Sequence, residues 1–83
     1  MIQRIDYNVE TFSQVLLSGS WENGEWDWER FHIGTFKSLE DATKCINKIK
    51  IDNDTPIARI YKETRTWGED GWDVTTELIT ERS

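Results

Sequence analysis

Tyr61-Lys62-Glu63-Thr64-Arg65-Thr66-Trp67-Gly68-Glu69-Asp70-Gly71-Trp72-Asp73-Val74-Thr75-Thr76-Glu77-Leu78-Ile79 places two runs of β-branched and aromatic residues on either side of a glycine-bounded acidic turn. This pattern predicts a β-hairpin. Two registers compete. If Trp67 faces Trp72, then Lys62 faces Glu77, Tyr61 faces Leu78 and Ile60 faces Ile79. If Asp70-Gly71 is a two-residue turn, Lys62 faces Ile79 and Tyr61 faces Thr80. Opposite charges and matched apolar residues stabilise cross-strand pairs, which selects the Trp67–Trp72 register.

Moving toward the N-terminus, Asp52-Asn53-Asp54-Thr55-Pro56 is a loop signal. Before it, Ser38 is a good N-cap, with Asp41 three residues on as a variant of the capping box. Leu39, Ala42, Ile46 and Ile49 recur at three- and four-residue steps, with Cys45 beside them. That spacing predicts an amphipathic helix over about residues 38–50. Lys44, Lys48 and Lys50 lie late in it, where cations suit the helix dipole.

The N-terminal half repeats the hairpin device. Trp21-Glu22-Asn23-Gly24-Glu25-Trp26 sets Asn-Gly midway between two tryptophans. Trp21 is then expected to face Trp26, and Leu16 to face Phe31, with strands over about residues 9–21 and 26–36. Residues 2–7 either extend the first strand or add a short one. Trp21-x4-Trp26-Asp27 parallels Trp67-x4-Trp72-Asp73, either as the remnant of an internal repeat or by convergence. The expected fold is α+β: a four-stranded antiparallel sheet of two hairpins with one helix on one face, in ββαββ order.

One helix can cover only one side of a sheet, and alternate strand residues point to opposite sides. In the expected register of hairpin one, Phe12, Leu16, Phe31 and Ile33 share a face. The other face holds Val15, Leu17, Trp21, Trp26 and Trp28 with Arg30 and His32. In hairpin two, Tyr61, Trp67, Trp72, Val74 and Leu78 share a face, and Ile60 and Ile79 lie on the other. Exposed apolar patches mark interfaces, and Trp, Tyr and Arg dominate binding hot spots. The candidate contact residues are therefore Trp21, Trp26, Trp28, Arg30, His32, Trp67 and Trp72, with Asp27 and Asp73 beside them. The competing structural reading is a β-bulge near Trp28–Arg30 that turns both aromatic sets into one core.

Composition narrows the classes of function. Eighty-three residues make one domain with a thin core. A net charge of −6 opposes non-specific nucleic-acid binding and docking on an anionic membrane, and suits a partner with a basic surface. The single cysteine, Cys45, forms no intrachain disulfide and reads as a small residue beside the core. No apolar run approaches the length of a membrane span, and the polar N-terminus does not read as a signal peptide. A cytoplasmic protein is expected.

Catalytic and cofactor patterns are missing from the sequence. The glycines lie in turns or strands rather than between a strand and a helix, one His and one Cys make no zinc site, and the acidic residues do not match a calcium loop. His32 has no motif that supplies a nucleophile and an orienting group. No catalytic residue, metal or other cofactor is expected.

Ile33-Gly34-Thr35-Phe36-Lys37-Ser38-Leu39-Glu40-Asp41-Ala42 resembles the G-x-F-x-S/T-x-E-E-A joint of small strand-strand-helix-strand proteins common in phage and bacterial genomes. Ala58-Arg59-Ile60-Tyr61-Lys62 resembles their return strand. The likeness covers about residues 26–67. It implies a phage-type inhibitor of a host defence protein or enzyme, and carries over no catalytic residue. Beside this stand two alternatives: a protein that sequesters a nucleotide-like ligand, with Arg30, Arg59 or Arg65 near a phosphate, and a structural or regulatory subunit. A homodimer would cover the exposed aromatic face.

Overall fold

In the computed structural model, which describes residues 2–20 and 22–83, four strands and one helix follow the order β1 (Ile2–Ser18), β2 (Glu25–Phe36), α1 (Leu39–Lys48), β3 (Ile57–Gly68) and β4 (Gly71–Arg82). The strands form one antiparallel sheet in the order β2-β1-β3-β4. The expected ββαββ architecture is what the chain adopts. Residues 2–7 extend the first strand, because nothing between Ile2 and Ser18 interrupts a run that carries Val, Ile, Thr, Tyr and Phe.

The helix begins where its cap residues require. Ser38 is extended, and its hydroxyl accepts from the Asp41 backbone N–H at 3.2 Å. It ends at Lys48, two residues short of the expected limit, with Ile49 extended and its N–H donating to the Ile46 carbonyl. From β4, the Arg82 guanidinium donates to the carbonyls of Ile46 and Ile49 and so caps this end from across the sheet. The loop that follows is tied by Asp52, whose Oδ1 accepts from the N–H groups of Asp54 and Thr55, both at 2.9 Å.

The helix packs on β1, β2 and β3. Val9, Ala42, Ile46, Ala58 and Ile60 are buried between the two layers, ringed by Tyr7, Phe36, Cys45, Ile49, Ile51 and Ile79. Cys45 is half-buried beside this core. Leu39, expected on the packed helix face, is exposed at the first turn.

Hairpin two pairs as expected: Trp67 with Trp72, Lys62 with Glu77, Tyr61 with Leu78. Gly71 carries the turn with φ +102°, a conformation that glycine adopts without Cβ strain. One detail differs. Ile60 pairs with Thr80 rather than Ile79, because a register shift between Ile60 and Tyr61 frees Ile79 to pack against the core.

Hairpin one departs from its expected register. Leu16 pairs with Trp26, not with Phe31. Over Glu10–Leu16 the shift is five residues, an odd number, so these side chains of β1 exchange faces relative to β2. Phe12 and Leu16 join the side of Trp26 and Trp28, while Val15 leaves it for the side of Phe31. The reason is burial. Val9 must lie over Ile60 beneath the helix, which fixes β1 against β3 and then β2 against β1. The local preference of Asn23-Gly24 for a tight turn yields to this, and the loop widens. The expected Trp21–Trp26 pair falls on a residue outside those described. Irregularities occur at Val9/Glu10, opposite Ile33, and at Leu16/Ser18, rather than near Trp28–Arg30.

β1 pairs with β3 only from Ile2 to Phe12, whereas its pairing with β2 continues to Ser18. Residues 13–29 therefore project beyond the four-stranded body as a two-stranded ribbon. The molecule is long and thin, 53 × 30 × 15 Å.

Candidate interaction face

The side of the sheet away from the helix is fixed by strand parity and by contacts between its side chains. On β1 it carries Ile2, Arg4, Asp6, Asn8, Glu10, Phe12, Gln14 and Leu16. Their partners on β2 are Trp26, Trp28, Arg30, His32 and Thr35, and on β3 Ile57, Arg59, Tyr61, Glu63, Arg65 and Trp67. β4 adds Trp72, Val74, Thr76, Leu78 and Glu81. Six of the expected contact residues, Trp26, Trp28, Arg30, His32, Trp67 and Trp72, thus stand on one surface, and Trp21 lies outside the described residues. Asp27 and Asp73 do not join them. They lie within β2 and β4 rather than in loops, opposite Val15 and Thr66, and so point to the helix side. Asp27 there accepts from the Trp28 N–H at 2.8 Å.

The face has three zones. At the hairpin-one end, Phe12, Trp28, Ile57 and Arg59 line a cleft of about 380 Å³, with the Arg59 guanidinium 4.7 Å from the Phe12 ring centroid. At the opposite end, Trp67 and Trp72 meet at 5.2 Å between ring centroids with their planes at 59°, beside Ile2 and Val74. Trp28, Trp67 and Trp72 are 48, 45 and 49 % exposed.

The middle zone is polar and internally paired. Asn8, Glu10, Arg30, Tyr61, Glu63 and Thr76 line a cleft of about 300 Å³. Glu63 accepts from Asn8 Nδ2 at 2.9 Å and from Arg65 Nε. A carboxylate only accepts, so the Asn8 amide must turn its NH₂ to Glu63 and its oxygen to Thr35. The Thr35 hydroxyl then donates to Asn8 Oδ1 at 2.8 Å, and His32 Nε2, 3.1 Å from Thr35 Oγ1, must be the donor there. Nitrogen-detected NMR should find neutral His32 protonated on Nε2. The Nδ1–H tautomer would break this chain of assignments.

Thr35, His32 and Glu10 are a hydroxyl, an imidazole and a carboxylate in a row, absent as a motif because Glu10 lies on another strand. Their polarity is wrong for a nucleophile. The Thr35 proton goes to Asn8, His32 gives a proton to Thr35 instead of taking one, and Glu10 Oε1 is 4.0 Å from His32 Nδ1. Glu10 Oε2 is buried without a hydrogen-bond donor among the described residues, with Arg30 Nε at 3.7 Å.

Three more ion pairs close the strip. Arg59 donates to Glu81 at 2.6 Å and to the Tyr61 hydroxyl at 3.0 Å. The buried Asp6 takes Lys37 at 2.6 Å, with Arg4 at 3.7 Å. The Lys37 hydrogen bond and charge, joined by Arg4 and Arg65, outweigh burial and hold the Asp6 carboxyl below its ordinary range. A depressed folded pKa stabilises the fold above the unfolded value and loses that contribution as pH falls through the folded one. Asp6→Asn should therefore cost about 1 kcal/mol near neutrality, modest because Lys37 is solvent-exposed. It should also flatten the loss of stability below about pH 4 in acid titrations followed by circular dichroism.

Phe12, Leu16 and Ile57 belong to the face although the sequence did not single them out for it. Their placement depends on β1–β3 pairing across 45 or more residues, which no local pattern encodes. Among the described residues no group of His, Cys, Asp and Glu is arranged to hold a metal ion. No helix there is long and apolar enough to cross a membrane. No family model, curated protein or solved structure matches the chain.

Proposed function

We propose that this chain acts by binding rather than by catalysis, and that the open sheet face is its contact surface. One observation carries the reading: Trp28, Trp67 and Trp72 stand half-exposed on the side of the sheet that the helix does not shelter. Large indole surfaces cost free energy in water and recover it at an interface, where Trp, Tyr and Arg supply most of the contact energy. The role that suits such a surface is a phage-type inhibitor that occupies part of a host protein in the cytoplasm. The acidic charge of the chain lies mostly off this face, where it can steer the approach of a basic partner without being buried by it.

A nucleotide-sequestering role has less support. Arg30, Arg59 and Arg65 each face a carboxylate, Glu10, Glu81 and Glu63 respectively, which a phosphate would have to displace.

The test is affinity capture with the wild-type chain, Trp28→Ala and Trp72→Ala, identified by mass spectrometry. Each variant should weaken retention of the captured protein by about tenfold or more while the circular dichroism spectrum stays unchanged. Equal retention by all three chains would remove the face from the binding site.

A further inference from the structure

We propose that, without a partner, two copies of the chain close their open faces against one another. The inference rests on the reading of that face as a contact surface, and names its occupant in the free protein.

Charge distribution favours a second copy over a charged partner as the resting cover. The strand residues of the face include four carboxylates, Asp6, Glu10, Glu63 and Glu81, and four guanidiniums, Arg4, Arg30, Arg59 and Arg65, with Lys37 reaching in to Asp6. The face is near neutral. The net −6 of the chain therefore belongs to the helix side, the loops and the hairpin ends. Two copies stacked face to face bring neutral surfaces together and leave both acidic sides outward.

Area supports the same occupant. The 53 × 30 Å envelope bounds one side at roughly 1,600 Å², and even with the ribbon filling only part of it the face can supply the ~800 Å² per partner that a standard stable interface buries. The layout of the face suits a two-fold contact, with apolar zones at both ends and a polar strip between them. A two-fold axis lying in the plane between the sheets sets apolar ends on apolar ends and strip on strip, whether it runs along or across the strands.

Sedimentation velocity over a broad concentration series tests this on the wild-type chain. The expected result is a reversible shift from 9.8 kDa to about twice that mass, with the Trp28, Trp67 and Trp72 indole N–H groups gaining protection from exchange as the dimer forms. Trp28→Glu should raise the dissociation constant by about a hundredfold or more, whereas Phe31→Glu, on the helix side, should leave it unchanged. A monomer at every concentration overturns the proposal, as does a dimer broken by Phe31→Glu and not by Trp28→Glu. The protection measurement needs no variant, so a misfolded Trp28→Glu chain does not spare the proposal. If the chain is monomeric but Trp28→Ala still abolishes partner capture, the dimer falls and the contact face stands. If capture is also unaffected, both fall.

Discussion

Ile46→Ala should lower the unfolding free energy by about 3 kcal/mol and move the urea midpoint down by about 2–3 M. Among the described residues Ile46 is one of three large side chains that are fully buried, with Val9 and Ile60, and its remaining core neighbours include two alanines. Alanines cannot move in to fill a gap, and Val9 and Ile60 are held by strand pairing. The cavity therefore stays open and its full cost appears. For a domain of this size about 3 kcal/mol is a large share of the total, since small domains have only about 5 kcal/mol or a little more. Leu39→Ala, on the same helix but exposed, should change stability by less than about 0.5 kcal/mol. A loss under about 1 kcal/mol for Ile46→Ala would mean that the helix does not seat on the sheet as described.

Gly24→Ala should open the end of hairpin one at a local cost of about 2 kcal/mol. A Cβ at Gly24 would lie 2.4 Å from the Ser20 carbonyl oxygen, 2.8 Å from that of Ser18 and 2.2 Å from Leu16 Cδ1. The Leu16 methyl can swing away, but the two carbonyls are backbone and cannot. Because residues 13–29 project as a two-stranded ribbon, the damage should stay there. Amide exchange should quicken over residues 14–28 while Ile60 and Val9 keep their protection. Uniform loss across the sheet would show that ribbon and body open together.

Legibility followed the range of the interactions. The helix was readable because its cap, Ser38, and its apolar step, Ala42 to Ile46, lie within one short segment. Hairpin two was readable because a short turn and the pairs Trp67–Trp72 and Lys62–Glu77 agree on one register. Hairpin one was not, although its Asn23-Gly24 signal is stronger. Its register is set by Val9 against Ile60 and by the helix above them, contacts that span most of the chain. That error carried into the site. Trp26, Trp28, Arg30 and His32 were grouped correctly because they lie on one strand, whereas Phe12, Leu16 and Val15 changed sides with β1. Asp27 and Asp73 were grouped with the tryptophans next to them in sequence, but alternation along β2 and β4 turns both to the other side. That Trp26 and Trp28 share one continuous surface with Trp67 and Trp72 depends on β1 meeting β3, which neither hairpin encodes alone.

The projecting ribbon separates two demands that a small protein otherwise meets with the same residues. Lengthening or recomposing the chain around residues 19–24 alters what the tip presents without touching Val9, Ile46 or Ile60. The damage done by a change there, as at Gly24, should then stay in the ribbon, and a short peptide grafted at the tip should be displayed by a body that keeps its core.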